Sequence, residues 1–161
     1  MNAIVAVDEN WAIGREGDLL ARISADLRRF KALTTGHAVI LGRKTLQTFP
    51  GGRPLPGREN LIMSTTMGDA PPGARVFRTV DELLAYAPED AFVIGGETVY
   101  RELLSCCDRI YVTKLHHTFP ADAWFPNLDG TEGWEIVETQ GPFEENEISF
   151  SYVTYERRKQ R

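Results

Sequence analysis

The sequence has few cysteines, a deficit of basic charge and no long apolar run, and each shortage excludes a class of protein. Cys106 and Cys107 are the only cysteines in 161 residues. Two adjacent thiols make neither a disulfide framework nor a C-x-x-C metal knuckle, and a reducing compartment suits them best. Lys and Arg number 18 against 23 Asp and Glu, a formal charge of -5. No general basic field therefore attracts nucleic acid or anionic lipid, and an anionic ligand must be held locally. Trp11, Trp124 and Trp134 are scattered and do not interleave with basic clusters as a nucleic-acid surface would. No segment approaches the ~20 apolar residues of a membrane span. The start, MNAIVAVDENWAIG, has no basic n-region and carries Asp8 and Glu9 where a secretory signal needs apolar residues. The expectation is a cytoplasmic protein with no membrane and no nucleic-acid partner. With 42% hydrophobic residues and no repeat, low-complexity tract or linker, residues 1–161 are expected to form one domain.

What is present is an alternation. Short runs rich in Val and Ile occur at 3–7, 38–42, 60–64, 74–77, 91–95 and 109–115, with amphipathic segments near 24–34, 43–48, 80–87 and 96–104. Near-continuous apolar runs suit strands buried on both faces, and the intervening segments suit crossover helices, so the class is α/β with a parallel sheet. The tail departs from this, because 133–140 and 148–158 alternate polar with apolar residues and no helix separates them. They are expected to pair antiparallel at one edge of the sheet. Residues 10–23 and the Gly/Pro-rich stretch 49–57 fit neither helix nor interior strand, and long loops in a compact domain are usually functional.

In SADLRRFKAL, Ser24 is the expected N-cap. At 100° per residue, Asp26, Phe30 and Leu33 share a sector of roughly 60°, while Arg28 and Lys31 point away. An acid thus stands on an apolar stripe. A first-turn acid can simply complement the helix dipole. Walled by Phe30 and Leu27, it can instead be desolvated and become a proton source near neutral pH. Position alone leaves both readings open.

Three strand-to-helix turns offer phosphate contacts: Gly95-Gly96 after AFVI, Arg43-Lys44-Thr45 after VILG, and Ser64-Thr65 after NLIM. Paired glycines permit close backbone approach, and helix starts carry unpaired N–H groups. None matches a G-x-G-x-x-G or P-loop fingerprint. In parallel α/β sheets ligands gather at the carboxyl ends of strands, so the three turns together point to one extended, phosphate-bearing cofactor. Arg53 and Arg58 flank the Pro-rich loop. Arg53 reads as a solvated surface residue, and Arg58, directly before a strand, as the better candidate for an anionic substrate. His116 and His117 cannot share a helix face as a metal pair would, and His37 lies far off, so no metal site is expected. The two cysteines read as core-edge packing.

In order along the chain, IVAVDENWAIG, SADLRRFKALT, VILGRKT, GRPLPGREN, VIGGETVY, YVT at 111–113 and DAWFP at 122–126 resemble the bacterial dihydrofolate reductases over essentially the whole length. The resemblance implies an eight-stranded, mostly parallel sheet with an antiparallel C-terminal strand and four flanking helices. It implies NADPH-dependent reduction of 7,8-dihydrofolate to 5,6,7,8-tetrahydrofolate, by hydride transfer to C6 with protonation at N5. Asp26 matches the active-site acid and Thr113 its hydrogen-bonded partner. Ile4, Ala6, Leu27, Phe30, Phe49, Leu55, Ile94 and Tyr100 match the substrate walls, with Arg58 on the glutamate carboxylate. On the cofactor side, Ala6, Ile13, Gly14 and Leu19 match the nicotinamide and its mobile loop. Ile94, Gly95, Gly96, Glu97, Thr98, Val99 and Tyr100 match the nicotinamide and pyrophosphate side, and Arg43, Lys44, Thr45, Ser64, Thr65 and Arg78 the diphosphate and 2′-phosphate segments. It further implies a monomer of one-carbon metabolism and a target of antifolate inhibitors.

The chain departs from the family's commonest pattern at DLLARIS, where Leu-Pro-Trp-x-Leu-Pro is usual. Leu20 replaces a Pro, Ala21 a Trp that helps order water beside the acid, and Ser24 another Pro, so protonation and loop closure are expected to be tuned differently. Thr98 stands where some relatives have Arg. Two rival readings share the cofactor turns: a pyrimidine reductase of riboflavin biosynthesis and a non-catalytic nucleotide-binding module. Asp26 with Arg58 argues against the first, and Asp26 with Thr113 and the apolar walls against the second.

Overall fold

The computed structural model describes residues 1–158. Its elements run β1 (Asn2–Val7), β2 (Ala12–Arg15), β3 (Asp18–Leu19), α1 (Ser24–Thr34), β4 (Ala38–Gly42), α2 (Arg43–Gln47), β5 (Glu59–Met63), β6 (Ala74–Phe77), α3 (Val80–Tyr86), β7 (Phe92–Gly95), α4 (Glu97–Leu103), β8 (Arg109–Leu115), β9 (Ala123–Trp124), β10 (Trp134–Glu145) and β11 (Ile148–Arg157). Eight strands form one sheet in the order β10-β11-β8-β1-β7-β4-β5-β6. All neighbours are parallel except those of β11, which runs antiparallel to both β10 and β8. This is the eight-stranded, mostly parallel sheet with an antiparallel C-terminal strand and four helices that the sequence led us to expect.

The apolar runs are continuous because both faces of the sheet are covered. Ala3, Val5 and Val7 of β1, Ile40 of β4 and Leu61 of β5 pack with Leu83 of α3 and Val99, Tyr100 and Leu103 of α4. Ile4, Val39, Leu41 and Ile62, the alternate residues, pack on the other face with Phe30 and Leu33 of α1 and Leu46 of α2. Strand side chains alternate between faces, so a strand covered on both sides is apolar throughout except where a buried polar group is hydrogen-bonded, as Asn60 in β5 is to the Leu55 and Arg58 carbonyls.

Two local expectations need correction. Ser24 is the first helical residue of α1 and not its N-cap; Ile23 holds the cap position, extended and without a side-chain cap. A hydroxyl caps only from the non-helical position. The orphan donors are taken instead by the Glu145 carboxylate at the end of β10, which accepts from Ser24 N at 2.5 Å and Ala25 N at 3.1 Å. Residues 10–23 are also more regular than their composition suggests, since β2 and β3 form a hairpin that joins β9 in a three-stranded sheet. Gly14 is obligatory there, because a Cβ would lie 2.9 Å from the Asp18 carbonyl oxygen.

Candidate active site

The central strands part at their carboxyl ends. β1 and β7 are in register only at Asn2–Phe92 and Ala3–Val93, whereas β1 stays paired with β8 as far as Val7–Lys114. The carbonyl of Ile4 lies beyond the last β1–β7 pair, and the buried hydroxyl of Tyr100 donates to it at 2.6 Å. Burial holds the Tyr100 hydroxyl far above its ordinary value. It is a fixed donor that satisfies an exposed strand edge and not a proton acceptor.

A cleft of about 870 Å³ opens along this split. Its wall contains every residue the sequence assigned to the cofactor: Ala6, Ile13, Gly14 and Leu19 on the first loop's side; Ile94, Gly95, Gly96, Glu97, Thr98, Val99 and Tyr100 along β7 and α4; and Arg43, Lys44, Thr45, Ser64, Thr65 and Arg78 along the remaining turns. Gly95 has φ +135°, a conformation that side chains rarely adopt, and a Cβ there would sit 3.5–3.6 Å from Tyr100 and Thr45. Helices α2 and α4 both open on a glycine with no side-chain cap, so their first-turn N–H groups keep no side-chain acceptor. Arg43, Lys44 and Arg78 are exposed, and Arg78 is oriented by a 2.9 Å bond from Nη1 to the Ser64 carbonyl.

Part of the substrate set gathers on the α1 face of the sheet, while Tyr100 packs on the opposite face with α4. Ile4 packs in one apolar cluster with Phe30, Phe49, Leu55 and Ile94. Asp26 looks across from α1 to β8, where the Thr113 hydroxyl donates to its Oδ1 at 2.6 Å. Thr113 is the register partner of Ala6, so the acid stands one strand away from the cleft wall. Burial raises the Asp26 carboxyl above its ordinary value; the Thr113 hydrogen bond and the nearby Arg29 charge oppose that rise. Leu27 differs from expectation, being 42% exposed. The desolvation of Asp26 owes more to the sheet and Phe30 than to Leu27. Arg58 stands apart from the large cleft. It lines a separate pocket of about 310 Å³ with His37 and Asp90, donates to the Pro56 carbonyl and to Thr34 Oγ1, and lies 6.0 Å over the Phe30 ring. That ring ties it to the substrate cluster.

Some contacts were not legible from sequence. Asp122 ties down the first loop: its carboxylate accepts from Glu16 N at 2.9 Å and its own N–H donates to the Gly14 carbonyl at 3.0 Å. The Glu97 carboxylate accepts from Trp124 N at 2.7 Å, joining α4 to β9. The motif DAWFP holds both partners, but nothing local to it shows which loop it meets. The remaining features are structural. His37 pairs with Asp90 at 2.9 Å, His116 meets Ser151 at 2.8 Å, and burial pushes the Cys107 thiol up to about 12, which leaves it inert at neutral pH.

The dihydrofolate reductase family model matches residues 1–157. The chain is 37% identical over 159 residues to a dihydrofolate reductase of Bacillus subtilis, covering 96% of this chain and 93% of that one. It is 34% identical to one from Staphylococcus haemolyticus over 160 residues, or 98% and 95% of the two chains. Among solved structures, a dihydrofolate reductase from Enterococcus faecalis complexed with NADP(H) and RAB-propyl superposes with a TM-score of 0.86 at 36% identity, covering 98% of this chain and 96% of that one. With a split sheet, a half-buried acid on its α1 face and matches across nearly its full length, this chain belongs to the dihydrofolate reductase family.

Proposed function

We propose that the protein reduces 7,8-dihydrofolate to 5,6,7,8-tetrahydrofolate with NADPH, and that residues 1–161 act as one catalytic domain, a cytoplasmic monomer of one-carbon metabolism open to antifolate inhibitors. The observation that carries this reading is the half-buried Asp26 carboxylate, bonded to the buried Thr113 at 2.6 Å and standing one strand from a cleft rimmed by cations. The cleft's residues fit the dinucleotide. About 870 Å³ suits an extended ligand, a glycine at φ +135° lies at the cleft wall, and three exposed cations border the phosphate turns. Arg43, Lys44, Thr45, Ser64, Thr65 and Arg78 would hold its phosphates, and the cationic set favours the 2′-phosphate form over NADH. When bound, NADPH supplies the hydride.

The chain's own part is orientation and one proton. Asp26, held in place by Thr113, binds the amino and ring nitrogens of the pterin and promotes protonation at N5, which raises the electrophilicity of C6. A raised carboxyl suits this, because it keeps a protonated fraction at pH values where an exposed aspartate has none. Ile4, Ala6, Leu27, Phe30, Phe49, Leu55, Ile94 and Tyr100 wall the rings and exclude water, and Arg58 takes the glutamate carboxylate. Relatives at 30–37% identity bear the name dihydrofolate reductase, which disfavours the pyrimidine reductase and the non-catalytic module. The test is loss of reduced-nicotinamide absorbance with purified protein. Rapid oxidation that needs dihydrofolate and prefers NADPH to NADH is expected; folded, NADPH-binding protein with no turnover would overturn the reading.

A further inference from the structure

Arg29 is a charge for which neither the cofactor turns nor the substrate walls have a use. It follows Asp26 by three residues on α1, so the two side chains leave neighbouring points of the same helix face. Its guanidinium carbon lies 4.0 Å from the ring centroid of Tyr152 on β11 and 5.9 Å from that of Tyr111 on β8. Tyr152 is the register partner of Thr113, and Tyr111 stands two residues before Thr113, on the same face of β8. The two rings therefore hold the cation on the side of the sheet where Asp26 meets Thr113. Its Nη1 is buried without a hydrogen-bond partner among the described residues. A solvated arginine would keep its water, so sequestering this one costs free energy that an apolar residue at the same site would not incur.

We propose that Arg29 is a positioning residue for the reaction: stacked on Tyr152 and Tyr111, it is the fixed counter-charge of the Asp26 carboxylate and sets the pH range over which that acid takes up and releases its proton. The inference rests on the reading of Asp26 as the pterin-binding acid. Other groups near the acid do not supply this charge. From β8, Thr113 donates a neutral hydrogen bond, and from β11 the Tyr152 hydroxyl is pushed up by burial and by Asp26 itself. From β10, Glu145 is negative and engaged by the α1 backbone, while Arg28 is exposed on the far face of the helix. In the first loop, Arg22 is exposed and paired with Asp18 at 3.1 Å.

The sign follows from the three influences on Asp26. Burial raises its carboxyl, and Thr113 and Arg29 lower it, so loss of Arg29 leaves burial less opposed. The experiment compares the parent enzyme with Arg29→Met, which keeps an apolar stem, and Arg29→Lys, which keeps the charge. Two readouts are taken on the full chain: the titration of the Asp26 carboxyl carbon by 13C NMR without ligand, and the pH profile of kcat/KM with NADPH and dihydrofolate. In Arg29→Met both midpoints should move up by about one pH unit, while Arg29→Lys stays near the parent. An unmoved midpoint in Arg29→Met, or equal shifts in both variants, would overturn the proposal. If Arg29→Met lacks a cooperative melt, Arg29→Gln takes its place with the same expectation. The NMR titration needs no turnover, so an inactive parent would count against the functional reading and an unshifted Asp26 in an active enzyme against this one.

Discussion

The two halves of the cleft are built on opposite plans. The cofactor half is made of backbone turns with charges at their rims: glycines at strand ends, short helices that open without side-chain caps, and the exposed Arg43, Lys44 and Arg78. The pterin half is made of side chains on a covered sheet face, where one carboxylate and one hydroxyl stand among Ile4, Phe30, Phe49 and Leu55. Charge in the first half is spread over several groups and screened by water, while charge in the second is confined to Asp26 and the nearby Arg29 at lower effective dielectric. Loss of a single residue should therefore be severe at the pterin end and graded at the cofactor end.

Asp26→Asn tests the severe side. It keeps the shape and a hydrogen-bonding oxygen but removes the proton source, so kcat should fall by about 10²- to 10⁴-fold, measured as turnover of NADPH with dihydrofolate. In the parent, activity should decline as pH rises through the raised Asp26 value, because the protonated form is lost. The same substitution should stabilise the fold at neutral pH. The sign runs so because a carboxyl raised in the folded state binds its proton more tightly there than in the unfolded chain. Its favourable contribution is complete below the ordinary carboxylate value of 3.8 and is lost as pH rises through the folded value. Thermal melts should show Asp26→Asn above the parent at neutral pH, by about 2–4 °C for each kcal/mol of burial cost removed, with the gap closing toward acid pH.

Gly95→Ala is the sharpest test of the backbone half. The new Cβ meets only ordinary contacts at 3.5–3.6 Å, so the cost is conformational and comes from φ +135°. Strain of about 1–3 kcal/mol should lower the melting midpoint and weaken NADPH binding together, read by calorimetry and by cofactor titration. A smaller loss is expected from Arg43→Ala and Lys44→Ala. Each should weaken NADPH by up to about tenfold, with an effect that shrinks as salt rises, and weaken NADH less, since it lacks the 2′-phosphate.

The same contrast governs what the sequence alone could reveal. The sheet was legible because burial on both faces leaves an unbroken apolar run, and the phosphate turns were legible because glycines and cations at strand ends are local signals. The residues assigned to the cofactor accordingly lie along one wall. Asp26 was visible as an acid on an apolar stripe, but its Thr113 partner came only through family resemblance, since 87 residues separate them. The hairpin within residues 10–23 was missed because its pairing is fixed in part by Asp122, far away in sequence. Ser24 was misassigned because a good capping residue and a good first-turn residue look alike until the partner of the backbone N–H is known.

That partner supplies the smallest test. If the pterin half depends on tertiary contacts, the helix that carries Asp26 should be anchored by Glu145 and not by its own serine. Ser24→Ala removes a hydroxyl that caps nothing, and its melt should stay within about 0.5 kcal/mol of the parent. Glu145→Gln keeps an acceptor for Ser24 N or Ala25 N but gives up the carboxylate's second oxygen and its charge at the positive end of the helix dipole. A loss of about 0.5–1 kcal/mol is expected, visible as a lower denaturation midpoint in urea with the slope unchanged. The opposite ranking, with Ser24→Ala the more damaging, would mean that α1 is capped locally and that the acid's helix owes its start to its own sequence. No loss in either would place the anchor in the packing of Ile23 against Leu115 and Phe150 instead of in either polar group.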